Sequence, residues 1–560
     1  MALYDALMCK LIIFFALHKG RTTLQCFAGR VLCCTYEGST TMTTSLVTPV
    51  FTQQLVHFMK QVGLRQIDLV ERARQRGVKL GKSQLSQYVS GKSLPRYDMV
   101  QTLAELLNCT ADDLLNAPSS KASNTQDSLR KAQSSSHVEH DHVAATSTHT
   151  PKPKNPCRSF KKSSKLDNVL YDVRGPVVDE AYRMEASGVH VLKLNIGNPA
   201  PFGFRAPDEV IYDMRQQLTD CEGYSDSRGL FSARKAIMQY DQLRGIPNVS
   251  MEDIYTGNGV SELINLSMQA LLDTGDEILV PSPDYPLWTA CATLAGGTAV
   301  HYLCDEQAHW YPDINDMRSK ITPRTKAIVI INPNNPTGVL YSREVLEDIV
   351  ELAREFNLMI FSDEIYDRLV MDNKKHISIA SLAPDLFCVT FSGLSKSHMI
   401  AGYRIGWMTL SGNKSIARDY IMGINMLSNM RLCSNVPAQS IVQTALGGYQ
   451  SVENYIAPGG RVYEQREFTY NALCNMEGVS VVKPDAAFYM FAHLDKKKFN
   501  IRDDEQFALD LLREKRVLIV HGKGFNWETP GYFRIVYLPR LQTLSDALGK
   551  IADFLTSYHQ

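Results

Sequence analysis

Lys396 and Arg404 are the residues whose types and spacing in this 560-residue chain first indicate chemistry. They lie in FSGLSKSHMIAGYRIGW, directly after an apolar, β-like run. Most lysines are solvated surface cations, but a lysine that loses its proton easily forms a Schiff base with a carbonyl compound. The small residues Ser392, Gly393 and Ser395 leave room for a bulky cofactor, and the planar guanidinium of Arg404 is suited to holding a phosphate. The segment therefore favours a cofactor site over a surface cation.

Five strand-like runs in the C-terminal part of the chain each end in residues that can bind ligands. The runs are 253–256, 278–280, 327–331, 359–361 and 388–391, and the residues after them are Gly259, Val260 and Ser261, then Tyr285, then Asn335, then Asp363 and Tyr366, and finally Lys396. Amphipathic helices are predicted between them, for example at 260–272 and 343–356. This alternation predicts a mostly parallel sheet covered on both faces, which binds ligands beyond the carboxyl ends of its strands.

Each of these residues has an ordinary explanation on its own, such as a helix cap, core packing or a turn. Together they form a recognisable set. The glycine turn at 259–261 opens a helix whose free N–H groups bind anions, and Tyr285 supplies a flat ring. Prolines fix the direction of Asn335. A buried Asp363 needs a cationic partner, and Tyr366 can hydrogen-bond to the same ring. With the lysine amine, these parts suit pyridoxal phosphate used as an electron sink.

Residues 164–560 resemble the class I/II aminotransferases, which are pyridoxal-phosphate enzymes of fold type I, and within them the bacterial glutamate–pyruvate (alanine) aminotransferase subgroup. The motifs that carry the resemblance are LNIGNPAPFGF, EGYSDSRGLFSARKAI, GNGVSELI, PDYPLWTA, INPNNPTG, DEIYD, GLSK, NMRLCSNVPAQ and FRIVYLPR. The resemblance implies an α/β fold with a large domain around a mostly parallel seven-stranded sheet. It also implies a smaller α+β domain built from both ends of the catalytic region.

The resemblance also assigns roles at the site. Lys396 is expected to form the Schiff base, Asp363 to pair with the pyridine nitrogen, and Asn335 and Tyr366 to contact O3′. Tyr285 is expected to stack on the ring. The residues expected at the phosphate are Gly259, Val260, Ser261, Ser395, Arg404 and, from the second subunit of a homodimer with shared active sites, Tyr224.

For the substrate, the resemblance implies that Arg534 in FRIVYLPR binds the α-carboxylate, in a subsite that Gly197 and Asn335 line. Arg174 in YDVRGP is a candidate for the distal carboxylate of glutamate, because it precedes the domain on an N-terminal arm. One departure concerns Gly393, since many members of the family have serine three residues before the lysine. Ser392 or Ser395 is expected to replace that hydroxyl.

The expected reaction is transamination, with L-alanine and 2-oxoglutarate giving pyruvate and L-glutamate as the preferred pair. In it, the freed amine of Lys396 moves the proton between Cα and C4′. Alternatives remain open: an aminotransferase of other donor specificity, a β-lyase on the same fold, or a transcription regulator that uses this domain to sense a ligand.

Residues 47–118 have helical periodicity and resemble the Cro/repressor-type helix-turn-helix family, from GLRQIDLVERA to LSQYVSGKSLPRYDMVQTLAELLNCTADDLL. In KSQLSQYVS, polar and basic side chains suit a DNA major groove. Those expected to point outward are Lys82, Ser83, Gln84, Gln87 and Tyr88. The spacing at 76–81 is longer than the pattern, and charges of both signs weaken a phosphate-binding surface. A small all-α module for protein interaction or dimerisation is the alternative.

The remaining segments complete the domain organisation. Residues 1–46 are expected to be an extension, either disordered or translated from too early a start, and 119–164 a flexible linker. The catalytic region 165–560 is divided into a large domain at about 206–440 and a small domain from 165–205 and 441–560. Histidines in the linker are expected to be solvated, so no metal is predicted.

The composition is that of an ordinary globular protein. Lys and Arg together number 59, as do Asp and Glu, so overall charge indicates neither a nucleic-acid nor a membrane partner. The 12 cysteines are scattered, which favours reduced thiols in a cytoplasmic protein. The apolar run at 11–17 is too short to span a bilayer.

Overall fold

The computed structural model of the chain describes residues 44–78, 80–91, 93, 95, 97–115, 160–167, 169 and 175–560. It divides into two compact units, Met1–Pro153 and Lys154–Gln560. The first 43 residues, most of the linker and Arg174 lie outside the described residues, and the predictions made for them stay predictions.

The described part of the first unit is helical. Its helices are α1 Thr44–Gln61, α2 Gln66–Gln75, α3 Lys82–Val89, α4 Tyr97–Leu107 and α5 Ala111–Leu115. One apolar face of each longer helix is buried, as helical periodicity predicts: Leu55, Leu69, Leu85 and Leu103 are all 0% exposed.

The polar side chains predicted to point outward from α3 do so with one exception. Lys82, Ser83, Gln84 and Gln87 are exposed. The prediction for Tyr88 is wrong, because its ring is 6% exposed in the core while its hydroxyl accepts a hydrogen bond of 2.8 Å from Gln84 Nε2. Burying an aromatic ring stabilises the fold by more than the removal of its single hydroxyl from water costs, when that hydroxyl has a hydrogen-bond partner.

The second unit is an α/β structure. Its helices are α6 Pro176–Ala186, α7 Asp208–Gln217, α8 Phe231–Leu243, α9 Val260–Leu271, α10 Leu287–Ala295, α11 Ile314–Lys320, α12 Arg343–Glu355, α13 Leu394–Ser397, α14 Arg418–Met430, α15 Val436–Ser440, α16 Val442–Gly447, α17 Val452–Ile456, α18 Arg461–Cys474, α19 Lys496–Phe499, α20 Asp504–Lys515 and α21 Leu541–Leu555. Of the helices described here, none combines the length and apolar character needed to cross a membrane.

Its strands are β1 Leu192–Lys193, β2 Ile254–Gly257, β3 Glu277–Ser282, β4 Thr298–Asp305, β5 Tyr311–Pro312, β6 Thr325–Ile331, β7 Met359–Asp363, β8 Phe387–Gly393, β9 Gly406–Gly412, β10 Val479–Val481, β11 Tyr489–Leu494, β12 Val517–Leu518, β13 Val520–His521 and β14 Tyr532–Val536. The large central sheet has the order β2-β9-β8-β7-β6-β3-β4-β5. Strands β8, β7, β6, β3 and β4 are parallel to their neighbours in that run. Antiparallel pairs at both ends make the sheet mixed.

The predicted number of seven strands is wrong for the described residues, because the two-residue strand β5 adds an eighth at the edge. It forms where the chain turns back after β4, so that Cys304 pairs with Pro312. The inner strands β6, β7 and β8 are buried along nearly their whole length, as expected for strands covered on both faces. Such continuous apolar runs explain why these strands were recognisable from sequence.

A smaller, antiparallel sheet has the order β10-β11-β14-β13, and β1 pairs with β12 beside it. Residues near the start of the unit, such as Val177 and Leu194, share one apolar core with residues near its end, such as Phe533 and Leu548. The two ends of the unit therefore pack together, next to the sheet that carries Arg534.

Candidate active site

The carboxyl ends of the parallel strands bring several predicted residues to one edge of the central sheet. Ile331 of β6 pairs with Asp363 of β7, and Asp363 pairs with Phe391 of β8. Asn335 follows β6, and Lys396 lies in α13, the one-turn helix after β8. Strand polarity thus places an amide, a carboxylate and an amine at the same edge.

Lys396 is half-buried, and its Nζ donates a hydrogen bond of 2.6 Å to the carbonyl oxygen of Gly197. The same Nζ lies 5.9 Å from the ring centroid of Tyr366. The turn before it is tightly packed, since a Cβ on Gly393 would stand 2.8 Å from the carbonyl oxygen of Ile405. This lack of space explains why this chain has glycine at a position where many members of the family have serine.

Asp363 ends β7 and is 4% exposed. Its carboxylate accepts hydrogen bonds from the backbone N–H of Ile365 at 3.3 Å and from Trp288 Nε1 at 3.4 Å. Burial raises the pKa of Asp363 to about 6, although these donors and the charge of Lys396 oppose the rise. A cation beside this carboxylate would stabilise its charged form, and a protonated ring nitrogen is such a cation.

Arg534 of β14 is 3% exposed. Its Nη1 donates a hydrogen bond of 2.9 Å to Asn335 Oδ1, and its Nη2 donates to the carbonyl oxygen of Asn195. The rings of Tyr489 and Phe525 lie 4.4 and 4.6 Å from the guanidinium carbon. These contacts fix a planar set of donors, which is the geometry that binds a carboxylate.

Two tyrosines connect the lysine side of the site with the arginine side. The hydroxyl oxygens of Tyr366 and Tyr489 are 2.6 Å apart. Burial raises the pKa of Tyr366 well above its ordinary value, so the phenol keeps its proton for hydrogen bonding. Tyr489 also packs on Gly197, where a Cβ would overlap the tyrosine hydroxyl. Gly197 is therefore required at this position for steric reasons.

A glycine, a helix N-terminus and an arginine meet beyond β2. Gly259 precedes α9 with a φ of 83°, and a Cβ on it would overlap the guanidinium of Arg404. Arg404 is exposed, and its terminal nitrogens donate to two backbone carbonyls at 2.8 and 3.1 Å. The N–H groups of Val260 and Ser261 open the helix, where they have no intrahelical acceptor. The arrangement is suited to a phosphate.

The other predicted residues are more dispersed. Tyr285 is half-buried just before α10, and Ser395 is half-buried next to the lysine in α13. Tyr224 is 84% exposed on a loop of this chain. Arg174 lies outside the described residues, so its place relative to the site stays a prediction.

The side chains fit pyridoxal 5′-phosphate. Gly259 and Arg404 leave a cradle that any larger residue at 259 would fill. Among the residues that the structure describes, Asp363 accepts two long hydrogen bonds and is in no ion pair, which matches a pyridine nitrogen that must stay protonated. Lys396 supplies an amine for the aldehyde.

Two contacts of this site were not predicted from the sequence. Trp288 donates to Asp363, and its position three residues after Tyr285 at a helix start was a usable signal, because that spacing places side chains on one face. Tyr489 touches Tyr366, Gly197 and Arg534. Its surroundings, AAFYMF, read as an ordinary buried strand and contain no indication of this role.

Comparison with known proteins decides the family. Residues 189–551 match the family model described as aminotransferase class I and II. The chain belongs to the class I and II aminotransferases. This aminotransferase uses pyridoxal 5′-phosphate, as the predicted site had indicated.

Several relatives cover the same part of the aminotransferase. It is 60% identical over 401 residues to the glutamate-pyruvate aminotransferase AlaA of Escherichia coli, covering 72% of this chain and 99% of the relative. It is 54% identical over 404 residues to an alanine aminotransferase of Mycobacterium tuberculosis, covering 72% of this chain and 94% of the relative.

Solved structures agree with this assignment. A crystal structure of an aminotransferase from Escherichia coli has a TM-score of 0.71 and 59% sequence identity, and it covers 72% of this chain and 100% of that one. An alanine aminotransferase from Pyrococcus furiosus has a TM-score of 0.68 and 36% identity, covering 71% of this chain and 100% of that one. The predicted fold type is therefore confirmed for the C-terminal unit.

Proposed function

We propose that the protein is an alanine aminotransferase that converts L-alanine and 2-oxoglutarate to pyruvate and L-glutamate. The observation that carries this proposal is the grouping of Lys396, Asp363 and Arg534 around one site, in a chain 60% identical to a glutamate-pyruvate aminotransferase. Steady-state formation of pyruvate from alanine, with 2-oxoglutarate as acceptor, tests it. If kcat/KM were higher with aspartate or tyrosine than with alanine, alanine would no longer be the proposed amino donor.

In this proposal each side chain has a defined task. The cofactor supplies an electron sink for the bond broken at Cα. Arg534 binds the substrate α-carboxylate and thereby orients Cα. With the cofactor bound, Lys396 Nζ would move the proton between the substrate Cα and C4′. Asp363 would hold a proton on the ring nitrogen, and Tyr285 would pack against the ring. The remaining proposed ligands are Gly259, Val260, Ser261, Ser395 and Arg404 for the phosphate, and Asn335 and Tyr366 for O3′.

We expect Arg534→Leu to lower kcat/KM for alanine and for glutamate alike, by about 100-fold or more, because a buried charge partner of the substrate is lost. Most of the loss should be in KM, since carboxylate binding helps the ground state and the transition state together. Arg354→Leu is the matched control, because Arg354 holds a carboxylate, that of Asp385, with hydrogen bonds of 2.7 and 3.0 Å at the surface. Unchanged KM in Arg534→Leu would contradict the assignment.

We propose that Arg174 binds the distal carboxylate of glutamate. Arg174→Ala should then lower kcat/KM for glutamate and 2-oxoglutarate and leave alanine unaffected, in contrast to Arg534→Leu. Equal losses for alanine and glutamate would show that this arginine does not read the side chain of the substrate.

A homodimer with shared active sites is part of the proposal. Tyr224, assigned to the phosphate of the partner subunit, is 84% exposed in a single chain. Helix α14 likewise exposes Met422, Met426 and Met430, at 56%, 61% and 78%. Apolar surface of this kind is typical of an interface between subunits.

We propose that residues 47–118 form a helix-turn-helix domain that binds DNA, joined by the 119–164 linker to the aminotransferase domain at 165–560. The exposed Lys82, Gln84 and Gln87 of α3 support this role. The competing possibilities are a protein-interaction module, or a regulator whose aminotransferase domain only senses ligands. Activity of 165–560 beside the full chain, and a gel shift with the promoter DNA of its own gene, distinguish them.

Pyruvate from cystathionine without an acceptor would instead indicate a β-lyase. A cytoplasmic location stays a prediction.

A further inference from the structure

A cluster of buried charges lies next to the proposed cofactor site. Arg244, which follows α8, is in contact with Glu364 through Nη2, and its Nη1 lies 3.5 Å from Asp241 and 3.6 Å from Asp367. The arginine side chain is 12% exposed, and the three carboxylates are 1%, 1% and 4% exposed. We call these four residues the Arg244 cluster. None of them is assigned a role in the proposed reaction.

Within this cluster, three carboxylates depend largely on one arginine for compensation of their charge. Breaking a buried ion pair leaves an uncompensated charge, which is far more costly than losing a pair at the surface. Burial raises the pKa of Asp241 to about 6, and the charge of Arg244 opposes that rise. Asp367 has one further partner, because its Oδ2 accepts a hydrogen bond of 2.5 Å from the hydroxyl of Tyr240. The geometry of the cluster is therefore strongly constrained.

The cluster is attached directly to the segment that binds the ring. Glu364 follows Asp363, and Asp367 follows Tyr366. The two adjacent carboxylates have separate hydrogen-bond donors. Glu364 Oε1 accepts hydrogen bonds of 2.8 Å from the hydroxyls of Ser362 and Ser378, whereas Asp363 accepts from the backbone N–H of Ile365 and from Trp288 Nε1. Fixing Glu364 and Asp367 thus fixes the backbone on which both proposed ring ligands are placed.

Two further contacts link the surroundings of the cluster to neighbouring strands. Asp241 accepts a hydrogen bond of 2.6 Å from Thr409 in β9, the strand that follows Arg404. On the other side, the His376 ring lies 3.1 Å from the carbonyl oxygen of Asn332, at the start of the loop that carries Asn335. Burial and the nearby Arg244 lower the pKa of His376 to about 4, so its ring is neutral and donates to that carbonyl.

We propose that Arg244 is a positioning residue of the cofactor site. By binding Glu364 and Asp367, it fixes the orientation of the adjacent Asp363 and Tyr366 toward the ring. It touches neither substrate nor cofactor. The inference rests on the proposed roles of Asp363 and Tyr366. It predicts that loosening the cluster weakens cofactor binding more than it weakens the fold.

The test uses Glu364→Gln in the full chain, which removes the charge that faces Arg244 and keeps the shape of the side chain. The readouts are the dissociation constant of pyridoxal 5′-phosphate for the cofactor-depleted protein, and the melting temperature of that protein. Glu277→Gln is the matched control. Glu277 is 7% exposed, and it too is held by an arginine and a hydroxyl, Arg324 Nε at 2.8 Å and Thr322 Oγ1 at 2.6 Å. It begins β3, at the opposite edge of the sheet.

We expect Glu364→Gln to raise the dissociation constant about tenfold, the lower end of the range for partners that orient ligands in metal sites. Ser378→Ala, a milder change to the same carboxylate, should have a smaller effect in the same direction and keeps the test valid if Glu364→Gln does not fold. Glu277→Gln should lower the melting temperature and change the dissociation constant less than about twofold.

The outcomes separate this inference from the proposed site. If Asp363→Ala binds the cofactor as well as the wild type does, the proposed site itself is wrong. If Asp363→Ala weakens binding while the Glu364 and Ser378 variants change it no more than Glu277→Gln does, the Arg244 cluster is purely structural and the inference is overturned.

Discussion

Lys396→Ala should remove the absorbance band of the Schiff base between this lysine and the cofactor and lower kcat by at least about 1,000-fold, within the range that one positioned acid–base group contributes. Its Nζ is the amine at the proposed site, held 2.6 Å from the carbonyl oxygen of Gly197. Without this amine, no covalent link to the aldehyde forms and no group transfers the Cα proton. The measurements are an absorption spectrum of the purified variant and its steady-state rate.

Lys326→Ala is the matched control for this variant. Lys326 is also half-buried and its Nζ donates a hydrogen bond of 3.1 Å to a backbone carbonyl, that of Leu271, but it lies near the start of β6. We expect the control to keep its colour and its rate. An active Lys396→Ala enzyme would contradict the assigned mechanism.

Asp363→Asn should lower kcat by about 100-fold or more, because a neutral amide no longer holds the proton on the ring nitrogen and the electron sink weakens. Cofactor affinity should fall as well. Asp504→Asn is the control, since Asp504 is 5% exposed and burial raises its pKa to about 6, as with Asp363, but it begins α20 beside the smaller sheet. Equal losses in both variants would indicate a general cost of removing a buried carboxylate.

In the cofactor-free protein, Asp363→Asn should increase the stability of the fold. The pKa of Asp363 is raised to about 6 in the fold, whereas an aspartate in the unfolded chain titrates near about 4. Between these values the folded state binds more protons than the unfolded state, so this group lowers stability as pH rises from about 4 to about 6. Asp363→Asn should therefore gain stability relative to wild type over that interval, by up to about 3 kcal/mol, in chemical denaturation. With cofactor bound, the gain should disappear.

The site residues at strand ends were predictable because a local pattern carries each of them. The apolar runs before Asn335, Asp363 and Lys396 mark buried parallel strands, and glycine or proline marks the turn at Asn335 and at Lys396. The strands begin and end within one or two residues of the predicted runs, and β7 includes Asp363 itself. Parallel strands then place their ends at one edge without further information.

The contacts between distant segments were not predictable in this way. Tyr489 contacts Tyr366 across 123 residues of sequence, and a strand that is buried along nearly its whole length gives no reason to choose that tyrosine. The same holds for Arg244 and Glu364, which are ordinary charged residues until the fold buries them together. The prediction for Tyr88 was wrong for a related reason. Whether a partly polar ring at a helix end lies at the surface or in the core depends on the residues that pack around it.

The central claim is that Lys396 is the residue linked to the cofactor. Reduction of the freshly purified protein with borohydride would make that link permanent, and trypsin would not cleave after the modified lysine. The account predicts a peptide of residues 376–404 that carries the pyridoxyl group on Lys396. Recovery of that lysine unmodified, or of the label on another lysine, would contradict the account.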